Sequence, residues 1–168
     1  MTEQPTGERI VVGMDGSAAA AAAVTWAAGQ ASTRGAVLRV VNAWLHDGML
    51  DDASVNRTTA QARDVHLKEL EATTSKLIEG RTGLKVEYSA PIGDPGEVLV
   101  EEAKDASMLV LGSHGNGKLR NLFVGSVCNA CLRHSTCPVV VIPPPAREPG
   151  SRLGRLLTSV AYEPGPIL

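Results

Sequence analysis

The chain has 168 residues, of which 43% are hydrophobic and 20% are charged. This length predicts one domain that buries roughly 70% of its unfolded surface, and this composition excludes a disordered or highly charged tail protein. The formal net charge of −2 excludes a broad basic surface, so we expect no nucleic-acid partner and no acidic membrane partner. The longest apolar stretches, residues 18–24 and 139–142, are far shorter than the ~20 residues that span a bilayer.

The N-terminal residues and the cysteine count both favour the cytoplasm. Residues 1–8 contain two glutamates and no Lys or Arg, whereas a secretory signal begins with a positively charged region. The three cysteines are an odd number, which favours a reducing compartment over a disulfide scaffold. We therefore expect a cytoplasmic protein.

Short β-rich segments alternate with longer helix-favouring segments, the pattern of βαβ units around a parallel sheet. The five predicted strands are Ile10–Met14, Val37–Val41, Leu84–Tyr88, Met108–Leu111 and Pro138–Ile142. Three of the four predicted helices cover residues 18–33, 55–79 and 126–134. The remaining helix, third in chain order, begins at a capping box at residues 94–97. The sequence therefore predicts an α/β fold.

The predicted domain covers residues 9–142, after an N-terminal tail of residues 1–8. Residues 143–168 form a Pro-rich extension, in which the spacing of Leu153, Leu156, Leu157 and Val160 indicates a short amphipathic helix. A frayed tail is the alternative for that extension. The acidic loop at residues 46–54 contains His46, Asp47, Asp51 and Asp52, and we interpret it as solvated and not as a metal site.

A glycine-rich segment follows the fourth predicted strand. Residues 112–118 leave the carboxyl end of that strand, and Gly125-Ser126 precede a helix. Ligands of open α/β sheets bind beyond the carboxyl ends of the strands, and glycine allows N–H groups to approach an anion, often with φ above zero. The free N–H groups of a helix N-terminus favour anions too. The segment therefore predicts a phosphate-binding loop, with added charge from Lys118 and Arg120, and an empty flexible loop is the alternative.

Two common phosphate motifs do not match. The sequence Gly112-x4-Gly117-Lys118 agrees with a P-loop until Leu119, which stands where a Ser or Thr would ligate Mg²⁺. Gly13-x2-Gly16 lacks the G-x-G-x-x-G spacing of dinucleotide-binding domains, and no carboxylate follows the second predicted strand for a ribose. We therefore expect no NAD.

The spacing Gly112-x2-Gly115-x9-Gly125-Ser126 resembles the G-x2-G-x9-G-S motif of the universal stress protein family. The resemblance covers residues 9–142 and includes residues 10–17, Gly93-Asp94-Pro95, and residues 125–142. It implies a Rossmann-like open sheet of five parallel strands, in the order 3-2-1-4-5, with helices on both faces. It also implies membership of the subgroup that binds ATP or a related adenine nucleotide.

Carried over position by position, the resemblance implies a site for ATP, with or without Mg²⁺. Gly13 and Asp15 would lie against the adenosine, and the main chain from Val41 to Ala43 would follow the adenine edge. The implied phosphate-binding residues are Gly112, Ser113, His114, Gly115, Asn116, Gly117, Lys118, Gly125, Ser126 and Val127. For Asp15, the capping of a turn is the alternative interpretation.

Cys128, Cys131, His134 and Cys137 recur at three-residue steps, which resembles a metal-ligand spacing. Each three-residue step on a helix turns about 60° away from the previous one, so Cys128 and His134 diverge by about 120°. We therefore interpret these cysteines as packing residues and expect no metal site.

The features together predict a regulatory module of the stress response that binds an adenine nucleotide and changes its surface or its dimer. No catalytic residue is predicted, because neither an acidic pair nor a Walker-type hydroxyl is present to hold Mg²⁺. The alternative is a slow ATPase or phosphotransferase in which His114 orients water. A partner-binding scaffold that has lost its ligand is less favoured, because every glycine of the motif is present.

The last predicted strand, Val139–Ile142, is apolar and would lie at a sheet edge in the implied strand order. Proteins normally pair or cover such an edge. We therefore expect a homodimer whose contact includes this strand, and the resemblance implies dimers as well. The downstream protein partner is not predicted.

Overall fold

The computed structural model describes residues 7–45, 59–113 and 125–144. Within these ranges the strands are β1 (Arg9–Gly13), β2 (Val37–Val41), β3 (Val86–Ser89), β4 (Met108–Gly112) and β5 (Val139–Ile142). The helices are α1 (Ala18–Arg34), α2 (Thr59–Leu77), α3 (Pro95–Glu102) and α4 (Ser126–His134). All five predicted strands are present within two residues of their predicted bounds. The predicted start of α2, at residues 55–58, lies outside the described residues, as do the acidic loop and residues 145–168.

The strands form one parallel sheet in the order β3-β2-β1-β4-β5, as predicted. The chain adds strands in one direction from β1 to β3 and then crosses over to β4, so the order reverses between β1 and β4. The central strand β1 is the most deeply buried part of the sheet, since Ile10, Val11 and Val12 are fully buried. The described residues contain no helix that combines the length and the apolar character needed to cross a membrane.

Helices α1 and α2 cover one face of the sheet. Ser17 caps α1, because its Oγ accepts a hydrogen bond from the Ala20 N–H at 3.1 Å, and Gly35 ends the helix with a φ of +64°. The helix contacts the sheet through small side chains, and its buried residues are Ala19, Ala20, Ala23, Val24, Ala27, Ala28 and Ala31. Alanine side chains keep the helix axis close to the strands, and they also explain the high helix propensity of this segment.

Helices α3 and α4 cover part of the other face. Asp94 begins α3 by accepting hydrogen bonds from the N–H groups of Gly96 and Glu97, at 2.9 and 3.2 Å, with Pro95 in the first turn. The Asp94 half of the predicted capping box is therefore present. A Cβ at Gly96 would lie 2.8 Å from the Cβ of Ala130 in α4, so glycine is required for the two helices to pack this closely.

A half-buried ionic cluster joins α3 to strands β2 and β3. Arg39 of β2 donates from Nε to Glu102 at 2.5 Å and from Nη1 to Glu87 at 3.1 Å. Ser89 donates to the other carboxylate oxygen of Glu102 at 2.8 Å. Burial opposes ionisation of Glu102, but the hydrogen bonds from Arg39 and Ser89 outweigh burial and lower the pKa of this carboxyl below its usual value.

The lowered pKa of Glu102 predicts a specific loss of stability in acid. A carboxyl whose pKa is lower in the folded state stabilises the fold above its unfolded pKa of about 4.3, and this stabilisation disappears as the pH falls through the folded-state pKa. Glu102→Gln should therefore lower the free energy of unfolding at neutral pH by about 1–2 kcal/mol, measured by urea denaturation. It should also reduce the stability that is lost below about pH 4.3.

Glu101→Gln is the matched control, because Glu101 directly precedes Glu102 on α3 and forms an exposed pair with Lys104. Exposed pairs contribute little, so this variant should stay within about 0.5 kcal/mol of the unsubstituted protein. Identical acid profiles for Glu102→Gln and the unsubstituted protein would contradict the role given to the cluster.

Candidate functional site

A cavity of about 360 Å³ lies at the carboxyl edge of the sheet, where the strand order reverses between β1 and β4. This volume falls in the range of roughly 300–1,000 Å³ that is typical of small-molecule sites. The ends of β1, β2 and β4 and the beginnings of α1, α3 and α4 form its walls. Open α/β sheets bind ligands at this position, because the neighbouring loops diverge there.

Nine of the residues predicted for the site line this cavity, and they are Gly13, Asp15, Val41, Ala43, Gly112, Ser113, Gly125, Ser126 and Val127. The other predicted residues, His114, Gly115, Asn116, Gly117 and Lys118, lie outside the described residues, as does Arg120. The structure therefore brings together residues from three strands, the first turn of α4 and the adjoining loops that are up to 114 positions apart in the chain, counting from Gly13 to Val127.

Sequence reasoning missed seven further residues of the cavity wall, and they are Met14, Ser17, Ala20, Pro95, Leu99, Leu111 and Cys128. Leu111 and Cys128 adjoin predicted positions, so proximity in the chain was a usable signal for them. Pro95 and Leu99 belong to α3, and no sequence pattern places that helix beside the end of β1. A Cβ at Gly13 would lie 3.3 Å from Leu99, which shows how closely the two elements pack.

Gly112 allows α1 to pack directly against the end of β4. A Cβ at this position would lie 2.6 Å from the carbonyl carbon of Ala19 and 2.7 Å from the nitrogen of Ala20. These backbone atoms cannot move aside as a flexible side chain could. A left-handed backbone explains neither Gly112 nor Gly125, since neither is among the described glycines with positive φ. Close packing explains Gly112 instead.

The two described ends of the glycine-rich segment meet at the cavity. The Gly125 N–H donates to the Ser113 carbonyl at 3.1 Å, and the Ser113 N–H donates to the Ile142 carbonyl of β5 at 2.8 Å. Residues 113 and 125 are therefore fixed to each other and to the sheet, although eleven residues separate them in the chain. This arrangement holds the beginning of α4 beside the end of β4.

The first N–H groups of α4 donate no hydrogen bond to the side chain of an N-cap residue. Its N-cap residue is Gly125, which has no side chain and adopts an extended conformation with φ −60° and ψ 164°. The first N–H groups of a helix have no partner within the helix, and the helix dipole places partial positive charge there. Ser126, Val127 and Cys128 carry these groups, and all three line the cavity. This end of the cavity therefore favours an anion.

Asp15, in the turn between β1 and α1, also lines the cavity. Its Oδ1 accepts a hydrogen bond from the Ser17 N–H at 2.9 Å, so the turn-capping interpretation describes a contact that is present. Asp15 is exposed and lines the cavity, and its carboxylate oxygens are hydrogen-bond acceptors. A smaller cavity of about 180 Å³, lined partly by His66 and Glu69 of α2, lies beside the same turn.

The end of β2 forms the third side of the cavity. The Val41 carbonyl accepts from the Met14 N–H at 2.8 Å, and the Asn42 side chain donates to the Met14 carbonyl at 2.7 Å. The Trp44 N–H donates to the Pro91 carbonyl at 3.2 Å. Ala43, which lines the cavity, is therefore held between fixed neighbours.

The three cysteines are free thiols, two of them buried. Burial raises the pKa of Cys128, and it raises the pKa of Cys131 to about 11, so both stay protonated near neutral pH. A metal ligand would be a thiolate. The described part of the chain contains no group of three His, Cys, Asp or Glu side chains that could hold a metal ion. The packing interpretation therefore agrees with the burial of Cys128 and Cys131.

A model of the Universal stress protein family matches residues 7–143. Universal stress protein Rv2624c from Mycobacterium tuberculosis is 29% identical over 96% of this chain, and Universal stress protein Rv2005c from the same species is 31% identical over 92%. The chain spans 57% and 58% of the lengths of these two relatives.

Solved structures of the family share the fold. The universal stress protein UspA from Lactobacillus plantarum is 25% identical, with a TM-score of 0.67 over 83% of this chain and 99% of its own. A universal stress protein in complex with cAMP is 24% identical, with a TM-score of 0.59 over 82% of this chain and 98% of its own. The universal stress protein from Archaeoglobus fulgidus in complex with dAMP is 22% identical, with a TM-score of 0.57 over 80% of this chain and 97% of its own.

The two glycines at the ends of β4 and α4 should respond differently to a methyl group. Gly112→Ala forces a Cβ against the backbone of α1, and such overpacking should lower the free energy of unfolding by about 3 kcal/mol. Gly125→Ala places its Cβ 3.7 Å from the nearest atom, an ordinary contact, so it should cost less than about 1 kcal/mol as a weaker N-cap. Urea denaturation measures both, and equal losses would contradict the packing role of Gly112.

Proposed function

The chain belongs to the universal stress protein family, and from this premise and the cavity between β1 and β4 we propose that it binds an adenine nucleotide, with ATP as the preferred ligand. Nucleotide occupancy would regulate a downstream partner in the stress response by changing the protein surface or its dimer. Because the chain spans little more than half of the curated relatives, this proposal concerns the domain described here.

The observation that carries the proposal is the uncapped N-terminus of α4 at the cavity wall. Gly125 supplies no capping side chain, and Ser126, Val127 and Cys128, which carry the first N–H groups of the helix, all line the cavity. Helix N-termini of this kind bind phosphate, because the free N–H groups and the dipole both favour negative charge. The Ser126 hydroxyl adds a further donor.

The remaining walls suit a nucleoside. Leu99, Leu111 and Val41 provide apolar surface for a base, and Ala43 lines the same cavity. In this proposal its main chain would contact the adenine edge. Asp15 would accept hydrogen bonds from ribose hydroxyls. The cAMP and dAMP bound by two structural neighbours support an adenine nucleotide as the ligand class of this fold.

Lys118, with the other residues of the motif from His114 to Gly117, would complete the contacts to the phosphates. Their assignment rests on the motif spacing alone. Since the described residues contain no metal-binding cluster, Mg²⁺ enters the proposal only as an ion that accompanies the phosphates. We also propose a cytoplasmic location, which the three free thiols support.

Gly125→Val tests the phosphate site directly. A branched side chain at the N-cap of α4 would enter the space that the phosphates need, so ATP affinity should fall at least about tenfold, measured by calorimetry. Adenosine, which lacks phosphates, should keep its affinity within about twofold and so serves as the control. Equal ATP affinity in the variant and the unsubstituted protein would contradict the proposed site.

Binding without turnover is the second part of the proposal. The α4 N-terminus and Lys118 would stabilise ground-state phosphates about as well as a transition state, and such uniform binding does not accelerate chemistry. The hydrogen bond from the Ser17 N–H holds the Asp15 carboxylate in its turn, so we do not assign Asp15 the role of orienting a water. The predicted motif then offers only His114 for that role. A slow ATPase with His114 as the orienting group is therefore the alternative function.

Single-turnover release of phosphate from ATP, with Mg²⁺ present, distinguishes the two functions. We expect a rate far below the ~10 s⁻¹ of a median enzyme, and no change in His114→Ala. A rate above ~1 s⁻¹ that collapses in His114→Ala would establish the alternative.

A homodimer through β5 completes the proposal. This strand lies at the sheet edge, pairs with β4, and has four half-buried apolar residues in the monomer. Val140→Lys would place a charge on that edge and should give monomers in light scattering. Lys85→Arg, directly before the opposite edge strand β3, should leave the dimer intact. An unsubstituted protein that is monomeric at micromolar concentration would contradict the dimer.

A further inference from the structure

We infer that Cys128 is a positioning residue of the proposed nucleotide site. Its thiol donates a hydrogen bond to the Gly112 carbonyl, so that hydrogen-bond donors remain at this part of the cavity wall. The inference rests on the proposed function. The side chain of Cys128 thereby takes part in recognition of the phosphates, although the glycine motif does not include this residue.

Cys128 lies where the end of β4 meets the first turn of α4. It is the third residue of α4, it lines the cavity, and it is only 4% exposed. Its Sγ donates to the Gly112 carbonyl oxygen at 3.0 Å. The pairs between β1 and β4 end at Val12 and Val110, so Gly112 lies beyond the last pair, at the point where the sheet opens into the cavity.

The contact matters because carbonyl oxygens and phosphate oxygens are both negative. An acceptor that faces the anion end of the cavity would repel a phosphate, and the repulsion would be strong in a partly desolvated site. The thiol hydrogen of Cys128 covers this acceptor. The same residue contributes its backbone N–H at the start of α4, so its side chain removes an unfavourable group while its main chain supplies a favourable one.

The thiol must stay protonated to act in this way. Burial raises the pKa of Cys128, and the nearby negative charge of Asp15 raises it further. The side chain is therefore a neutral donor at neutral pH and adds no negative charge beside the phosphates. The negative charge of a bound nucleotide would also raise the pKa of this thiol and so favour its protonated form.

Cys131 offers a matched control on the same helix. It lies one turn beyond Cys128 and is fully buried, and its Sγ is 3.9 Å from the Gly96 carbonyl of α3. It is not among the described residues that line the cavity. A substitution there removes an equally buried thiol from α4 without touching the cavity wall.

The test compares Cys128→Ala with Cys128→Ser by calorimetry with ATP and with adenosine. Serine and alanine differ mainly in the hydroxyl donor, so a donor role predicts a difference that packing alone does not. We expect Cys128→Ala to weaken ATP binding about tenfold and to leave adenosine within about twofold. Cys128→Ser and Cys131→Ala should both keep ATP affinity within about threefold of the unsubstituted protein.

Four results would overturn the inference. Equal ATP affinities in Cys128→Ala and Cys128→Ser would show that the donor is irrelevant, and a parallel loss of ATP and adenosine affinity would indicate general damage to the cavity. Failure of the unsubstituted protein to bind ATP, AMP or adenosine would remove the proposed function and this inference together. Normal ATP binding with no effect at Cys128 would remove the inference alone. Thermal melts of each variant confirm that the measured protein is folded.

Discussion

The close packing of α1 against the carboxyl end of β4 is the constraint on which the cavity depends. At Gly112 the strand and the helix are so near that a methyl group would overlap the backbone of Ala19 and Ala20. This contact places the first turn of α1 beside the end of β4, and the turn that contains Asp15 therefore lies at the same edge of the sheet. The alanines of α1 allow the rest of the helix to lie equally close to the strands.

The anion-favouring side of the cavity depends on how α4 is held. One attachment is the hydrogen bond from the Gly125 N–H to the Ser113 carbonyl, and another is the packing of Gly96 against Ala130 between α3 and α4. Both are contacts of backbone or of very small side chains. The main chain therefore creates most of this side of the cavity, and the glycines act mainly by what they leave open. This explains why a glycine pattern, and not a set of charged residues, was the informative sequence signal.

Sequence patterns predicted the strands and helices closely because local and global preferences agree in this chain, and the family resemblance implied the strand order. Apolar β-branched runs gave the strands, and the alanine run after Ser17 gave α1. The capping residues Asp94 and Pro95 fixed the beginning of α3. The bounds of β3 were shifted by two residues at its start, since Leu84 and Lys85 alternate like strand residues but precede the paired segment. An alternating pattern reports which side chains face the core and does not report where pairing begins.

The candidate site was less predictable, because distant contacts determine it. The glycine spacing identified Gly112 and Gly125, but the reason for Gly112 is its contact with α1, which is about 90 residues earlier in the chain. Leu99 and Pro95 reach the cavity through the packing of α3 against β1, and no local pattern contains that information. Cys128 was correctly interpreted as buried, but its bond to the Gly112 carbonyl depends on where β4 ends relative to α4.

The central claim is that this cavity holds an adenine nucleotide. The most direct measurement is to purify the protein without added nucleotide, denature it, and identify any released small molecule by mass spectrometry. We expect an adenine nucleotide, with ATP as the main species, in substoichiometric to stoichiometric amount. We also expect the same preparation of Gly125→Val to release much less. A protein that releases no nucleotide, and that takes up none when purified with millimolar ATP, would contradict the claim.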